Sequence, residues 1–173
     1  MRPVWMVSLG VVGVAVASCS SAPAPTPPSG PEMIGDPPSG QSSPGEQWEA
    51  TREVYDRFWR DSWQVQDQPS GQWPATLRQV AHGPLVEQIV ERTHQDHHTG
   101  ARLWGQVTPH VRDVQVDGEH AVVTDCQDSS RAGRLEGSGA KSVGVARNPV
   151  TAQVDRTPAG WRVTAVAYPG GAC

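Results

Sequence analysis

Apolar residues follow four regimes along the chain. From Val4 to Ala17 they run almost without interruption, then nearly vanish from Ser20 to about Gly45, where proline, serine and glycine dominate. From Trp48 they return with helical spacing. One face would carry Trp48, Tyr55, Phe58, Trp59 and Ser62, with Val54 and Trp63 at its margins, and Glu49, Glu53, Asp56, Arg57 and Arg60 opposite. Ser43-Pro44-Gly45-Glu46 supplies the start: Ser as N-cap, Pro in the first turn, Glu three residues after the cap. A short helix is expected over Pro74–Ala81, ended by Gly83. A third follows with Leu85, Val86, Ile89 and Val90 inward and Gly100 as its stop.

After Gly100 the period falls to two. Leu103–Val116, Ala121–Cys126, Ser142–Val154 and Trp161–Tyr168 are rich in Val and Thr and read as strands, with turns at Asp117-Gly118 and Thr157–Gly160. The glycine-rich "GRLEGSGAKSVG" reads as a hairpin loop; it lacks the Gly-Lys-Ser/Thr ending of a phosphate-cradling loop. Helices followed by an antiparallel sheet make an α+β domain. With residues 1–18 as a leader and 19–45 as a spacer, that domain occupies 46–173.

The first apolar run spans about 14 residues behind Met1-Arg2, short of the roughly 20 a membrane-spanning helix needs, and reads as the core of an export signal. Val16-Ala17-Ser18-Cys19 resembles the bacterial lipobox. That resemblance implies cleavage between Ser18 and Cys19, a diacylglyceryl thioether on the Cys19 sulfur with acyl chains such as palmitate, and a bilayer as partner. Two acyl chains suffice for stable anchoring. The proline-rich tract that follows is too poor in apolar residues to fold, and would hold the domain off the membrane's outer face as a semi-rigid spacer.

Three cysteines leave one over. With Cys19 acylated, Cys126 and Cys173 form an even pair, and a location outside the cytoplasm permits their disulfide.

"VYDRFW", "AHGPLVEQI", "VTPHVRDVQVDGEHAVVTDCQDSS", "AGWRVTAV" and the terminal Cys together resemble small actinobacterial lipoproteins of the nuclear transport factor 2-like superfamily. A single lysine among fourteen basic residues fits such a GC-rich source. The resemblance implies helices packed on a curved antiparallel sheet in a cone-shaped domain. A strand that many members carry between the second and third helices has no counterpart in this sequence.

Net charge is −4 and basic residues form no cluster, which disfavours nucleic acid as a partner. No sequence feature calls for a cofactor, and no serine nucleophile elbow is present. Three candidate chemistries remain. His94 and His98 stand four apart on a helix, as in helical zinc sites, with Asp96, His97 or His82 to complete a set. Gln95, however, replaces the Glu that a zinc protease needs after its first His. Asp125 and Asp128 are candidate bases of an isomerase or cyclase, because relatives in the superfamily use acids on the concave face of the sheet. The tyrosines, Tyr55 and Tyr168, lie on other elements and suggest no Tyr/Asp pair. Trp59, Trp104 and Tyr55 are candidates to line a cavity, although tryptophan more often fills a core. The leading expectation is a non-catalytic binding or accessory module of the cell envelope, acting on a small apolar ligand or within an envelope protein complex.

Overall fold

The computed structural model describes residues 42–173. The expected export signal, Cys19 and most of the expected spacer lie outside the described residues. Helix α1 (Pro44–Gln64) starts two residues inside the expected spacer. There the Ser43 backbone N–H donates to Glu46 Oε2 at 2.7 Å, and the Glu46 N–H donates to Ser43 Oγ at 3.3 Å. Two orphan donors of the first turn are thereby satisfied reciprocally.

The buried stripe of α1 is Thr51, Val54, Tyr55, Phe58 and Trp59. Val54 therefore sits within the buried face, while Trp48 and Ser62 are half-buried at its borders. Two 3₁₀ turns, Val65–Asp67 and Ser70–Gln72, lead into α2 (Trp73–Leu77).

Helix α2 stops four residues short of the expected Ala81, because the chain leaves it to bond with the sheet. The Val163 N–H donates to Val80 O and the His82 N–H to Val163 O, each at 2.9 Å, making a parallel bridge between Ala81 and Val163. This one bridge occupies the place of the strand that the sequence does not suggest. Helix α3 (Pro84–Thr99) begins after Gly83 and ends on Gly100, which takes the left-handed conformation at φ 70°.

The strands are β1 (Arg102–Gly105), β2 (Val111–Asp117), β3 (His120–Gln127), β4 (Ala132–Leu135), β5 (Asn148–Thr157) and β6 (Gly160–Ala167). The main sheet is antiparallel in the order β2-β3-β5-β6, and β1 pairs with β4 as a separate ribbon. Both hairpin turns of the main sheet fall where the sequence puts them.

The expected long strand Leu103–Val116 is instead two, broken after Gly105 at φ 70°. A Cβ there would lie 1.9 Å from Arg131 O, just ahead of β4, so this close approach accepts only glycine. Strand β4 lies inside the stretch expected as a loop. Its alternation is hidden by Gly133 and by polar Arg134, and β5 starts at Asn148 rather than Ser142.

The helices cover one face of the main sheet, an α+β plan. In the core, Tyr55, Phe58, Trp59, Trp73 and Leu77 pack against Val123, Val150, Val154 and Val163. A disulfide joins Cys126 of β3 to Cys173.

Candidate functional site

Two places on this frame carry chemistry. The first lies under α1. Tyr55 projects from the buried stripe and Asp125 from the helix-facing side of β3. The Tyr55 hydroxyl donates to Asp125 Oδ2 at 2.8 Å, and the His110 backbone N–H donates to Oδ1 at 2.6 Å. The sequence reading, which saw no Tyr/Asp pair, is corrected here: residues 70 positions apart meet because α1 crosses directly over β3.

Burial pushes the Asp125 carboxyl above its ordinary range, opposed by the bonds from Tyr55 and the His110 backbone. Burial, followed by the charge of Asp125, pushes the Tyr55 phenol up as well. Asp125 is 1% exposed and Tyr55 0%, so both oxygens of the acid are engaged inside a dry interface. The arrangement can hold a helix to a sheet. It offers a substrate no approach.

The second place is a groove of about 580 Å³ between the C-terminal half of α1 and α3. This lies within the range of small-molecule sites, roughly 300–1,000 Å³. Phe58, Trp59 and Trp63 form one wall and Leu85 and Ile89 the other, with Leu103 and Val166 among its further lining and Tyr168 at its rim. Leu85, Ile89 and Val90, expected inward, are only partly buried; Val86 alone of the four is fully covered. At the far end the Asp96 carboxylate accepts from Arg134 Nη2 at 2.8 Å and Arg92 Nε at 3.2 Å. Arg134 also reaches Glu136 at 2.6 Å.

Of the cavity candidates, Trp59 lines this groove. Tyr55 is sealed against Asp125. Trp104 stands in a separate depression of about 420 Å³, with its indole N–H bonded to Ser142 O at 3.0 Å and the Lys141 ammonium 3.5 Å from its ring centre.

Asp128 sits at the end of β3, where Oδ1 accepts from the Ser130 N–H at 2.8 Å. The side chain and backbone of Ser130 hold its carboxyl below the usual range. This is a turn-stabilising role.

The histidine cluster is organised by packing. His94 and His97, rather than His94 and His98, flank the buried indole of Trp73, with ring centres 4.7 and 5.0 Å away. His97 Nε2 lies 3.1 Å from Gln66 O, and against a carbonyl that nitrogen must donate. His98 and His82 are exposed. Among the described residues no group of three or more His, Cys, Asp or Glu side chains is placed to hold a metal ion.

The grouping that sequence reasoning missed is that of Arg92, Asp96 and Arg134, Asp96 having been read only as a possible metal ligand. The first two form an ordinary i,i+4 pair, and nothing local announces that β4 brings a second guanidinium to the same acid.

No protein-family model matches the sequence, and no curated protein matches it. Among solved structures, the chain is similar to the intermembrane-space region of the chloroplast protein ARC6, with a TM-score of 0.50 and 15% identity over 69% of this chain and 96% of that one. It is also similar to a proposed aromatic ring hydroxylase from Novosphingobium aromaticivorans (TM-score 0.47, 11% identity, 76% and 95% covered). A conserved protein from Planctomyces limnophilus gives a TM-score of 0.45 at 10% identity, with 69% and 95% covered. At these identities the likeness concerns the fold alone, and the fold hosts many functions.

Proposed function

We propose that this chain is a lipid-anchored, extracytoplasmic binding module of a bacterial envelope, of the kind found in small actinobacterial lipoproteins. Acyl chains on Cys19 would hold it to the bilayer, and the groove between α1 and α3 would hold a small, largely apolar ligand without turning it over. One observation carries the reading: the groove is open and walled by apolar side chains, while the buried acid Asp125 lies outside it beneath α1. Burial of aromatic and aliphatic surface supplies affinity in such a site, and among the described residues the one acid that lines the groove, Asp96, is bonded to two guanidinium groups rather than free to act as a base.

The groove is tested by titrating the full chain with the neutral dye Nile red. Saturable fluorescence enhancement is expected, with a loss of at least about ten-fold in affinity for Ile89→Asp, which places a charge on the apolar wall. The absence of saturable binding overturns the reading. The anchor is tested separately by detergent phase partitioning of the protein expressed in an actinobacterial host. The wild type should enter the detergent phase and Cys19→Ala the aqueous phase.

A further inference from the structure

Several polar side chains of the groove are consumed by the fold, while the Trp59 indole N–H, the Gln88 amide and the Tyr168 hydroxyl have no hydrogen-bond partner among the described residues. Gln66 donates to Leu103 O at 3.0 Å and accepts from the Leu103 N–H at 2.8 Å. Thr93 Oγ1 donates to Ile89 O at 2.8 Å, and Ser62 Oγ to Trp59 O at 3.4 Å. The Asp96 side chain is 7% exposed and already shared by two guanidinium groups, which leaves it closed to a cationic ligand.

Arg92 differs. Only its Nε is engaged, its two terminal nitrogens make no hydrogen bond among the described residues, and the side chain is 61% exposed at the groove. Along one face of α3 the order is Leu85, Ile89, Arg92, an apolar run of about 10 Å ending in a free cationic fork.

We propose that the groove selects a single-chain amphiphile with a monoanionic head. The apolar body would lie between Leu85–Ile89 and Phe58–Trp59, and the head would accept from Nη1 and Nη2 of Arg92. This deepens the binding-module reading and rests on it. A guanidinium fork has donors only and matches an oxyanion in a charge-assisted, two-bond contact. Arg92 and Arg134 are already balanced by Asp96 and Glu136, so the cluster is neutral overall and holds a head only through the Arg92 fork, which matches one pair of oxygens. A carboxylate or a phosphodiester fits that limit, and the two would come from a free fatty acid or from an anionic lysophospholipid.

The experiment measures displacement of Nile red from the full chain by dodecanoate, by lysophosphatidylglycerol and by dodecanol, each kept below its micellar concentration. The expected result is that at least one of the two anions binds ten-fold or more tightly than dodecanol. Arg92→Gln should abolish that preference, so that neither anion binds it more tightly than dodecanol does, the comparison being made within the variant; retention of a ten-fold preference overturns the role of Arg92. Arg92→Lys should retain part of the preference. Preference for dodecanoate assigns the source as a free acid, and preference for the lysolipid assigns it as a lipid headgroup. If dodecanol binds the wild type as tightly as both anions, the headgroup inference fails while the groove stands. If Nile red itself does not bind, the binding-module reading and this inference fall together.

Discussion

Helices α1 and α3 both lie on the main sheet, yet they make opposite kinds of interface. Under α1 every position of the inward stripe from Thr51 to Trp59 is buried, and the polar pair in its middle is bonded to itself. Under α3 only Val86, Thr93 and Asp96 are buried, and Leu85 and Ile89 face a groove. The sequences of the two faces explain the difference. The α1 face combines three aromatic residues, whose reach fills the space to the sheet, whereas α3 offers the smaller Leu, Ile and Val and is tied at its far end to β4 by the Asp96–Arg134 contact. The domain thus has one closely packed helix–sheet interface and a second that leaves a groove.

The largest expected effect falls on the connection between the two regions. The disulfide ties β3, one residue from Asp125, to the tail that carries Tyr168 at the rim of the groove. It closes a loop over a sequence separation of 47, so replacing both Cys126 and Cys173 by Ser should cost about 4 kcal/mol on the chain-entropy account. Urea unfolding of the oxidised wild type and the double variant checks this. A loss below about 1 kcal/mol would mean that the tail is not held by the bond.

Next in size is Tyr55→Phe, which leaves a buried carboxylate without one of its two donors and should cost about 2 kcal/mol at pH 7. The pH dependence has a definite sign. Burial already raises the Asp125 carboxyl, so the contribution of this group to wild-type stability is fully present below its unfolded value and lost as pH rises through its folded one. Removing the Tyr55 bond, which lowers that carboxyl, raises it further. The variant therefore takes up its proton at a higher pH than the wild type, and the stability gap should narrow on acidification. Urea unfolding of both proteins at pH 7.5 and 4.5 measures it. A gap that widens toward acid would contradict an ionised Asp125 bonded to Tyr55.

The same contrast sets what could be read from the chain. The capped start of α1, its aromatic face, the Gly100 stop and both main-sheet hairpins were legible because each rests on residues close in sequence. The Tyr55–Asp125 pair was not, since it depends on which strand α1 crosses. Strand β4 was hidden because Gly133 and Arg134 interrupt its alternation, and its role is to deliver Arg134 to Asp96 from 38 residues away. The groove was hidden for a third reason. Leu85 and Ile89 have the spacing of core residues, and periodicity reports which side of a helix faces inward, not how close the opposing surface comes.

That last distinction yields the smallest and most discriminating effect. Val86 is 2% exposed and packed, so Val86→Ala removes two methyl equivalents from a filled space and should cost about 2 kcal/mol. Ile89→Ala removes more carbon, yet from a half-covered side chain whose loss widens an existing groove rather than opening a cavity, and should cost no more than about 1 kcal/mol. On packing volume alone the order would be the reverse. The two variants, compared by urea unfolding alongside Nile red titration, should therefore dissociate: Val86→Ala lowers stability and spares the dye, while Ile89→Ala spares stability and weakens the dye several-fold. If Ile89→Ala proves the more destabilising of the two, α3 packs as tightly as α1 in solution, and the groove closes when no ligand holds it open.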